Sequence, residues 1–391
     1  MPLFKRNAPK AEPQSSAGEL SLPPGLPYSC VLTLNHNDDD EVWTCKFSPV
    51  DDRLLLTTTY GKVTLWNLGT SPTTTRLAEI VGEDGYCSAT FSPDGKSIAC
   101  HFGNNRVTVG TIDAKKPLKK LKKFKPSHEI DFGNTIRSLE YGAQSNLLIS
   151  ASWDGQVILW KADKGKLISS IDICQYYKKR RSETHGSGLW SCSLSRDESL
   201  LAAASSTSEI YLIDSQTLVL KSTLTGHDSD VYHCEFGQRH AHQVLVSGSK
   251  DGTVRIWNVD VAGNSKCARV HETGFPVKYC LLSKKGNILA AGGDAFQVLL
   301  LDPYSGETIR SLKLDDDAFH HAVHSMSITE SERYLAVAYT DSKVRVWQLA
   351  KRVTSLKNKC RLILRSLVDE SNIGRLPISE HLKCYLQYLF D

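Results

Sequence analysis

Histidine, aspartate and serine side chains, which could serve catalysis or metal binding, recur in this sequence near tryptophans. The most complete group comprises His227, Ser247 or Ser249, Asp251 and Trp257. Such a set could move a proton as a general acid or base. However, His185 falls on the place of His227 in an earlier segment, and Asp154 and Asp341 fall on the place of Asp251. This recurrence predicts a structural role, in which the polar side chains fix turns.

Other chemical signals are missing from the sequence. The 11 cysteines are odd in number, and no two of them have Cys-x-x-Cys spacing. Free thiols in a reducing compartment are therefore expected, and the paired ligands of a zinc site are absent. The sequence also lacks a phosphate-binding Gly-x-x-x-x-Gly-Lys loop, a His-Glu-x-x-His helix and a Gly-x-Ser-x-Gly elbow. We expect no metal, no cofactor and no enzyme acting alone.

The composition is that of an ordinary globular protein. Hydrophobic residues make up 40% of the 391 residues, charged residues 23%, and the formal net charge is +4. No apolar run approaches the roughly 18 residues of a membrane span, and residues 1–27 have no apolar signal core. Their richness in Pro, Ser, Ala and Lys predicts a disordered tail. We expect a cytoplasmic protein that also has access to the nucleus.

The elements that must position the polar groups repeat along the chain. Seven short β-strand patterns end at spacings of 44 to 53 residues, at Trp66, Gly110, Trp160, Ile213, Trp257, Leu301 and Trp347. A period near 44 with four short strands per unit is typical of WD repeats. The sequence therefore predicts an all-β, seven-bladed WD-repeat propeller over residues 28–350.

Two further patterns support a closed ring. The last repeat offers no outer strand, whereas an orphan strand, Ser29–Leu34, precedes the first repeat and is expected to complete the seventh blade. The innermost strands of the seven repeats also share one position that holds only small or soft apolar groups. These residues are Cys45, Ala89, Leu139, Cys192, Cys234, Cys280 and Met326. Because free cysteine behaves as a small hydrophobic residue, we expect packing at this position.

A candidate protein-binding surface follows from the same alignment. Propellers usually bind partners where the inner strands begin, and the aligned residues there include Trp43, Arg137, Trp190, Tyr232, Lys278 and His324, with Cys87 in the second repeat. Three aromatic and three potentially cationic side chains, with no carboxylate, are rich in the residue types that dominate binding energy. The ring predicts recognition of an acidic or phosphorylated substrate segment. The alternative is that several of these residues pack the channel.

Two basic runs are the main signal for a different partner. They are Lys115–Lys125 and Lys178–Arg181. Either could contact phosphates or direct nuclear import. Neither is interleaved with base-stacking aromatics, so a solvated connecting segment is the favoured interpretation and nucleic-acid binding the less favoured one.

After Ala350 the apolar pattern changes from period two to the helical period of 3.6. Residues on one face of the first helix are Leu356, Cys360, Ile363, Leu364 and Leu367, with Ser355 as N-cap. A second amphipathic stretch carries Leu382, Tyr385, Leu386 and Leu389. Two short helices cannot form a core alone, so their apolar faces need either the propeller or another protein.

The order of these residues resembles a SOCS box over residues 354–391. Ser355, Leu356, Cys360 and Leu364 match the elongin-binding box, [Ser/Thr]-Leu-x-x-x-Cys-x-x-x-apolar. The cullin-5 box that follows is matched by Ile373, Leu376, Pro377, Ile378, Leu382, Tyr385 and Leu386. Propeller and box together resemble the WD repeat and SOCS box-containing family. Ser379 departs from its pattern, because the family has a second proline there.

The resemblance implies a role in protein ubiquitination. The box helix would dock on elongin C, with elongin B, and the downstream box would select cullin-5 with its RING partner. The propeller would then hold an unknown protein substrate. A plain WD-repeat scaffold without a ligase role, or a propeller associated with nucleic acid, are the alternatives.

Overall fold

The computed structural model describes residues 27–350, except residues 37–39, 70–73, 83–84, 104–105, 114–115, 124–135, 145, 164–165, 179–187, 240–241, 261–264, 296, 304 and 315–320. The predicted tail, apart from Pro27, and both predicted C-terminal helices lie outside this range. So do His185 and most of the basic run Lys178–Arg181.

The described residues form 28 strands in seven four-stranded antiparallel sheets. Blade 1 contains β2 Thr44–Phe47, β3 Leu54–Thr59, β4 Lys62–Asn67 and β5 Thr75–Val81. Blade 2 contains β6 Ser88–Phe91, β7 Ser97–Phe102, β8 Arg106–Asp113 and β9 Lys116–Lys123. Blade 3 contains β10 Ile136–Tyr141, β11 Leu147–Ser152, β12 Gln156–Lys161 and β13 Lys166–Asp172. Blade 4 contains β14 Leu189–Leu194, β15 Leu200–Ser205, β16 Ile210–Asp214 and β17 Leu220–Leu224.

The remaining blades repeat this order until the last one. Blade 5 contains β18 Val231–Arg239, β19 His242–Ser249, β20 Thr253–Asn258 and β21 Lys266–Glu272. Blade 6 contains β22 Val277–Leu282, β23 Leu289–Gly293, β24 Gln297–Leu301 and β25 Thr308–Lys313. Blade 7 contains β26 Val323–Ile328, β27 Tyr334–Tyr339, β28 Lys343–Gln348 and, from the other end of the chain, β1 Cys30–Asn35. The prediction of a seven-bladed propeller is confirmed.

Burial explains why the strands differ in composition across a blade. The second strands are enclosed on both faces, and all six residues of β15 are buried. Such strands read as continuous apolar runs, whereas outer strands such as β5 expose most of their residues. Seven clusters of buried side chains, one at each interface between neighbouring blades, hold the ring together.

The shared position on the inner strands is packed as expected. Its seven residues are at most 5% exposed, from Cys45 on β2 to Met326 on β26. Burial raises the pKa of the Cys45 thiol to about 12 and keeps it uncharged at neutral pH. No group of residues in the described part of the chain could hold a metal ion.

Two elements differ from the sequence-based expectation. The lysine-rich segment was expected in a connection, but Lys116–Lys123 forms β9, which pairs with β8 at the outer edge of blade 2. Lysines are compatible with an edge strand because they discourage pairing with other molecules. The helix α1, Cys174–Lys178, follows β13 and was not foreseen.

No helix in the described part of the chain has the length and apolar character to cross a membrane.

The ring closes where β1 pairs with β28. The ladder runs antiparallel from Cys30 opposite Trp347 to Asn35 opposite Lys343, one residue beyond the expected strand Ser29–Leu34. Leu34 is only 2% exposed and lies in the cluster between blades 7 and 1. The first described strand is therefore part of the last blade and also packs against the first.

We expect Leu34→Ala to lower the free energy of unfolding by about 2–4 kcal/mol, because it removes buried methyl groups and leaves a cavity. Chemical denaturation of the full chain measures this change. The matched control is Thr33→Ala, next to it on the same strand but exposed, which is expected to change stability by less than about 0.5 kcal/mol. Equal effects of the two variants would contradict the role of Leu34 in closure.

Candidate functional site

The structure brings together the polar side chains of blade 5, which are His227, Ser247, Asp251 and Trp257. His227 Nδ1 lies 2.8 Å from Asp251 Oδ2, and His227 Nε2 lies 2.8 Å from Ser247 Oγ. The indole Nε1 of Trp257 donates to the same Ser247 Oγ at 2.9 Å. Burial acts to raise the pKa of Asp251, but hydrogen bonds from Thr253 and His227 outweigh burial and lower this pKa to about 2. The four side chains of this hydrogen-bond network bond to one another within blade 5, which fits a structural role.

Other blades use parts of the same arrangement. Trp66 Nε1 donates to Thr57 Oγ1 at 2.8 Å, and Trp160 Nε1 donates to Ser150 Oγ at 3.1 Å. Asp341, which aligns with Asp251, instead accepts from Arg345 Nη2 at 2.6 Å. Each arrangement ties the third strand of its blade either to the second strand or to the turn that precedes the third strand.

The predicted binding residues surround the opening of the central channel. A cavity of about 1270 Å³ is lined by all six of them, Trp43, Arg137, Trp190, Tyr232, Lys278 and His324. We use the name mouth for these six residues and four others that contact them. The four others are Glu41, Tyr86, Trp153 and Asp294. Each of the six lies at the start of, or just before, an inner strand, so the strand alignment places them at one end of the ring.

Aromatic rings form most of the mouth. Trp43 stacks on His324 with centroids 4.6 Å apart and meets Tyr86 edge-on at 5.2 Å. On the other side Trp190 contacts Trp153 at 4.4 Å and Tyr232 at 5.1 Å. Aromatic pairs in these geometries are stable beyond their buried area. The mouth is consequently a firm surface of large side chains.

Arg137 lies between the two aromatic groups. Its guanidinium carbon is 5.0 Å from the Tyr86 ring centre and 5.4 Å from the rings of both Trp153 and Trp190. Tyr86 Oη donates to the carbonyl oxygen of Arg137 at 3.0 Å. The absence of a side chain at Gly188 makes room for the Trp153 ring, since a Cβ there would lie only 2.6 Å from that ring. The cation is thus held by ring faces.

The other expected cations do not remain free. Lys278 Nζ lies 2.6 Å from Asp294 Oδ1, so a carboxylate from outside the aligned strand positions pairs with this cation. Glu41 Oε2 lies 3.9 Å from His324 Nε2. Burial lowers the pKa of His324 to about 4, so this imidazole is neutral at pH 7. Cys87 is fully buried and contributes no exposed surface.

The sequence alignment missed four members of the mouth. Glu41 and Asp294 come from the loops after β1 and β23, while Trp153 belongs to the turn between β11 and β12. Tyr86 directly precedes Cys87, the aligned residue of the second repeat. This adjacency was the only feature of the sequence that could have placed Tyr86 at the mouth. Residues outside the aligned strand position could not be placed without the folded ring.

Below the mouth, charged residues lie inside the channel. Lys46 Nζ donates to Tyr279 Oη at 2.6 Å, and the Tyr279 ring stacks on His233 at 3.8 Å. Glu140 Oε1 accepts from Ser193 Oγ at 3.2 Å and from the Leu194 amide at 3.3 Å. These polar bonds join residues of different blades, blade 1 with blade 6 and blade 3 with blade 4.

Glu140 and Glu235 lie near Lys46 in this polar cluster. Burial, and then the charge of Glu235, raise the pKa of Glu140 to about 8. Burial also raises the pKa of Glu235, while the Lys46 ammonium acts in the opposite direction. At pH 7 one proton is therefore retained largely on Glu140. The cluster therefore carries less negative charge than it would if Glu140 and Glu235 were both ionised.

The fold and its hydrogen-bond arrangements define a β-propeller with WD repeats. Residues 28–67, 119–161, 218–258 and 307–348 match the family WD40, described as WD domain, G-beta repeat. The guanine nucleotide-binding protein subunit beta of Arabidopsis thaliana is 22% identical over 331 residues, covering 81% of this chain and 83% of the relative. The corresponding protein of Solanum tuberosum is 26% identical over 269 residues, covering 56% and 71%.

A second group of relatives is described by other names. The ribosome biogenesis protein ytm1 of Neosartorya fischeri is 30% identical over 154 residues, which covers 38% of this chain and 29% of the relative. The chain therefore contains WD40 repeats within its seven-bladed propeller and is similar in sequence to G-beta-like and ribosome-biogenesis WD proteins. WD propellers are generally non-catalytic scaffolds, which agrees with the structural role of the blade 5 hydrogen bonds.

The raised pKa of Glu140 makes a pH dependence testable. The folded chain binds this proton up to about pH 8, whereas an unfolded chain releases it near pH 4.5. The free energy of unfolding is thus expected to fall as the pH rises from about 5 to 9. Glu140→Gln should reduce this slope in urea denaturation measured across that range.

The control for this measurement is Glu79→Gln on the outer strand β5, where the carboxylate is exposed. We expect this variant to keep the slope of the unchanged chain. A Glu140→Gln variant with the original slope would show that the Glu140 proton does not contribute.

Proposed function

We propose that this chain is the substrate receptor of an elongin B/C–cullin-5 ubiquitin ligase. The observation that carries the proposal is the ordered pair of motifs at residues 355–364 and 373–386, which follow a propeller with an aromatic mouth. These motifs lie outside the described residues, so the proposal draws on their sequence. The ligase would act in the cytoplasm and the nucleus.

The first motif supplies the contact with elongin C. Leu356 on an amphipathic helix would enter an apolar pocket, and Cys360, one turn later, would lie where the two proteins approach closely. Full burial of one leucine side chain stabilises a complex by about 1.5–3 kcal/mol. Ser355 would cap the helix and Leu364 would extend its apolar face.

The second motif supplies the contact with the cullin. Ile373, Leu376 and Pro377 introduce it, and Leu382, Tyr385 and Leu386 form the apolar side of the following stretch. Ser379 replaces the second proline of the family pattern, so the cullin-5 box departs from that pattern at one position, whereas the elongin-binding box matches its pattern throughout.

The chain would contribute no catalytic group of its own. Its mouth would hold a protein substrate while the RING partner of the cullin brings a ubiquitin-charged E2 enzyme close to it. Rate enhancement would come from holding the two reactants together, which raises their effective concentration. The buried and mutually bonded polar residues of the propeller agree with this adaptor role.

We expect Leu356→Pro combined with Cys360→Phe to abolish capture of elongins B and C. Proline disrupts the helix, and the phenylalanine ring would prevent close approach. Affinity purification of the tagged full chain from cells measures capture, and circular dichroism with thermal unfolding tests whether the propeller remains folded.

The matched control is Asn358→Ala, a change at a variable position of the same motif. This variant should retain both elongins. If the double variant still co-purifies with them, the ligase proposal is wrong.

A scaffold that assembles with RNA is the second candidate. It is favoured by the similarity to a ribosome biogenesis protein over 154 residues and by the lysine-rich sequence of β9. RNA held by lysines would dissociate steeply as salt concentration rises, because released counterions drive such binding. RNA binding with this dependence, combined with no elongin capture, would favour the scaffold over the ligase.

A further inference from the structure

Arg137 is an enclosed cation for which the described part of the chain offers no carboxylate. The other mouth cation, Lys278, is paired with Asp294. Among the described residues, the buried Nε atom of Arg137 has no hydrogen-bond partner, and the same holds for Nε1 of Trp190 on the neighbouring blade. A buried donor without an acceptor is costly, and two of them lie together at the mouth.

The aromatic contacts of Arg137 leave its hydrogen-bonding capacity largely unused. Cation–π contacts engage the faces of Tyr86, Trp153 and Trp190. A guanidinium presents its N–H donors in its own plane, in a fork that matches two oxygens of one carboxylate or phosphate. The rings also displace water from the cation, which strengthens a charged hydrogen bond formed there.

We propose that Arg137 and Trp190 form a binding site for a single side-chain oxyanion of an extended protein segment. This inference rests on the proposed function, because it names the kind of substrate that the receptor would hold. Arg137 would donate two hydrogen bonds to the oxyanion, and Trp190 Nε1 would donate a third.

The charges around the mouth favour a protein segment over a nucleic acid. Glu41 lies beside His324, and Asp294 accompanies Lys278, both away from Arg137 around the ring. Among the described residues of the mouth, a polyanion would find no second available cation, because Asp294 neutralises Lys278 and Glu41 lies beside the neutral imidazole of His324. A segment with one oxyanion and apolar or neutral neighbours would instead place its charge on Arg137 and its other side chains on Trp43, Tyr86 and Tyr232.

The oxyanion could be a phosphorylated hydroxyl or an acidic side chain, which share the same recognition chemistry. Three fluorescein-labelled peptide pools distinguish them, each with four randomised residues on both sides of a fixed centre. The centres are phosphoserine, glutamate and serine. Binding to the full chain is measured by fluorescence polarisation at 0.15 M salt, near the physiological ionic strength.

We expect the phosphoserine pool, or both anionic pools, to bind at least about tenfold more tightly than the serine pool, since charged hydrogen bonds exceed neutral ones. Tight binding of phosphoserine alone identifies a phosphorylated substrate, and tight binding of both pools identifies an acidic one. Equal binding of all three pools overturns the proposal.

Arg137→Gln should remove this preference, while Arg137→Lys should retain only part of it, because an ammonium group lacks the planar fork. The matched control is Arg53→Gln, at the turn between β2 and β3 on the opposite end of the channel, where Arg53 is paired with Asp51. A preference that survives Arg137→Gln, or is lost equally in the control, contradicts the site.

Trp190→Phe keeps a ring but removes its N–H donor, so it provides a test even if Arg137→Gln does not fold. We expect this variant to weaken binding of the anionic pool severalfold and to leave the serine pool unchanged. Equal weakening of both pools would contradict donation by Trp190. The peptide assay contains no elongin, so oxyanion selectivity without elongin capture would support the site and reject only the ligase role.

Discussion

The ladder between β1 and β28 is the interaction on which the whole ring depends. Each blade has two apolar faces and needs a neighbour on each side, so an open ring would expose two of them to water. The pairing of Leu34 with Val344 places strands from opposite ends of the described chain in one sheet. The seven clusters between blades, the channel and the mouth all require this closure, because every inner strand is positioned by both of its neighbours.

The sequence predicted most of the fold because the repeat is expressed in residue types that packing requires. Trp66, Trp160 and Trp257 mark the third strands, and the inner cysteines mark the shared buried position. The lysine-rich strand β9 was not recognised, since its pattern lacks the apolar alternation of a blade strand. The short helix α1 depends on the connection between blades 3 and 4, for which periodicity offers no rule.

The candidate site was predicted only in part, for a related reason. Arg137, Trp190 and Tyr232 occupy equivalent positions of successive repeats, and an alignment of strands finds them. Asp294 and Trp153 reach the mouth from a loop and a turn. Asp294 neutralises Lys278, whereas Trp153 contacts Arg137 without neutralising it. The charge distribution of the mouth therefore could not be predicted without the folded ring. Lys46 and Glu140 likewise meet only because different blades face one channel.

The placement of β28 has a mechanical consequence. It is not the edge of its sheet but lies between β27 and β1, and it forms a ladder with each of them. A pulling force on the chain that continues beyond Gln348 would therefore load two ladders together, whereas an edge strand could peel away from one. Any partner that binds the segment after residue 350 would be attached to the propeller at one of its most firmly anchored strands.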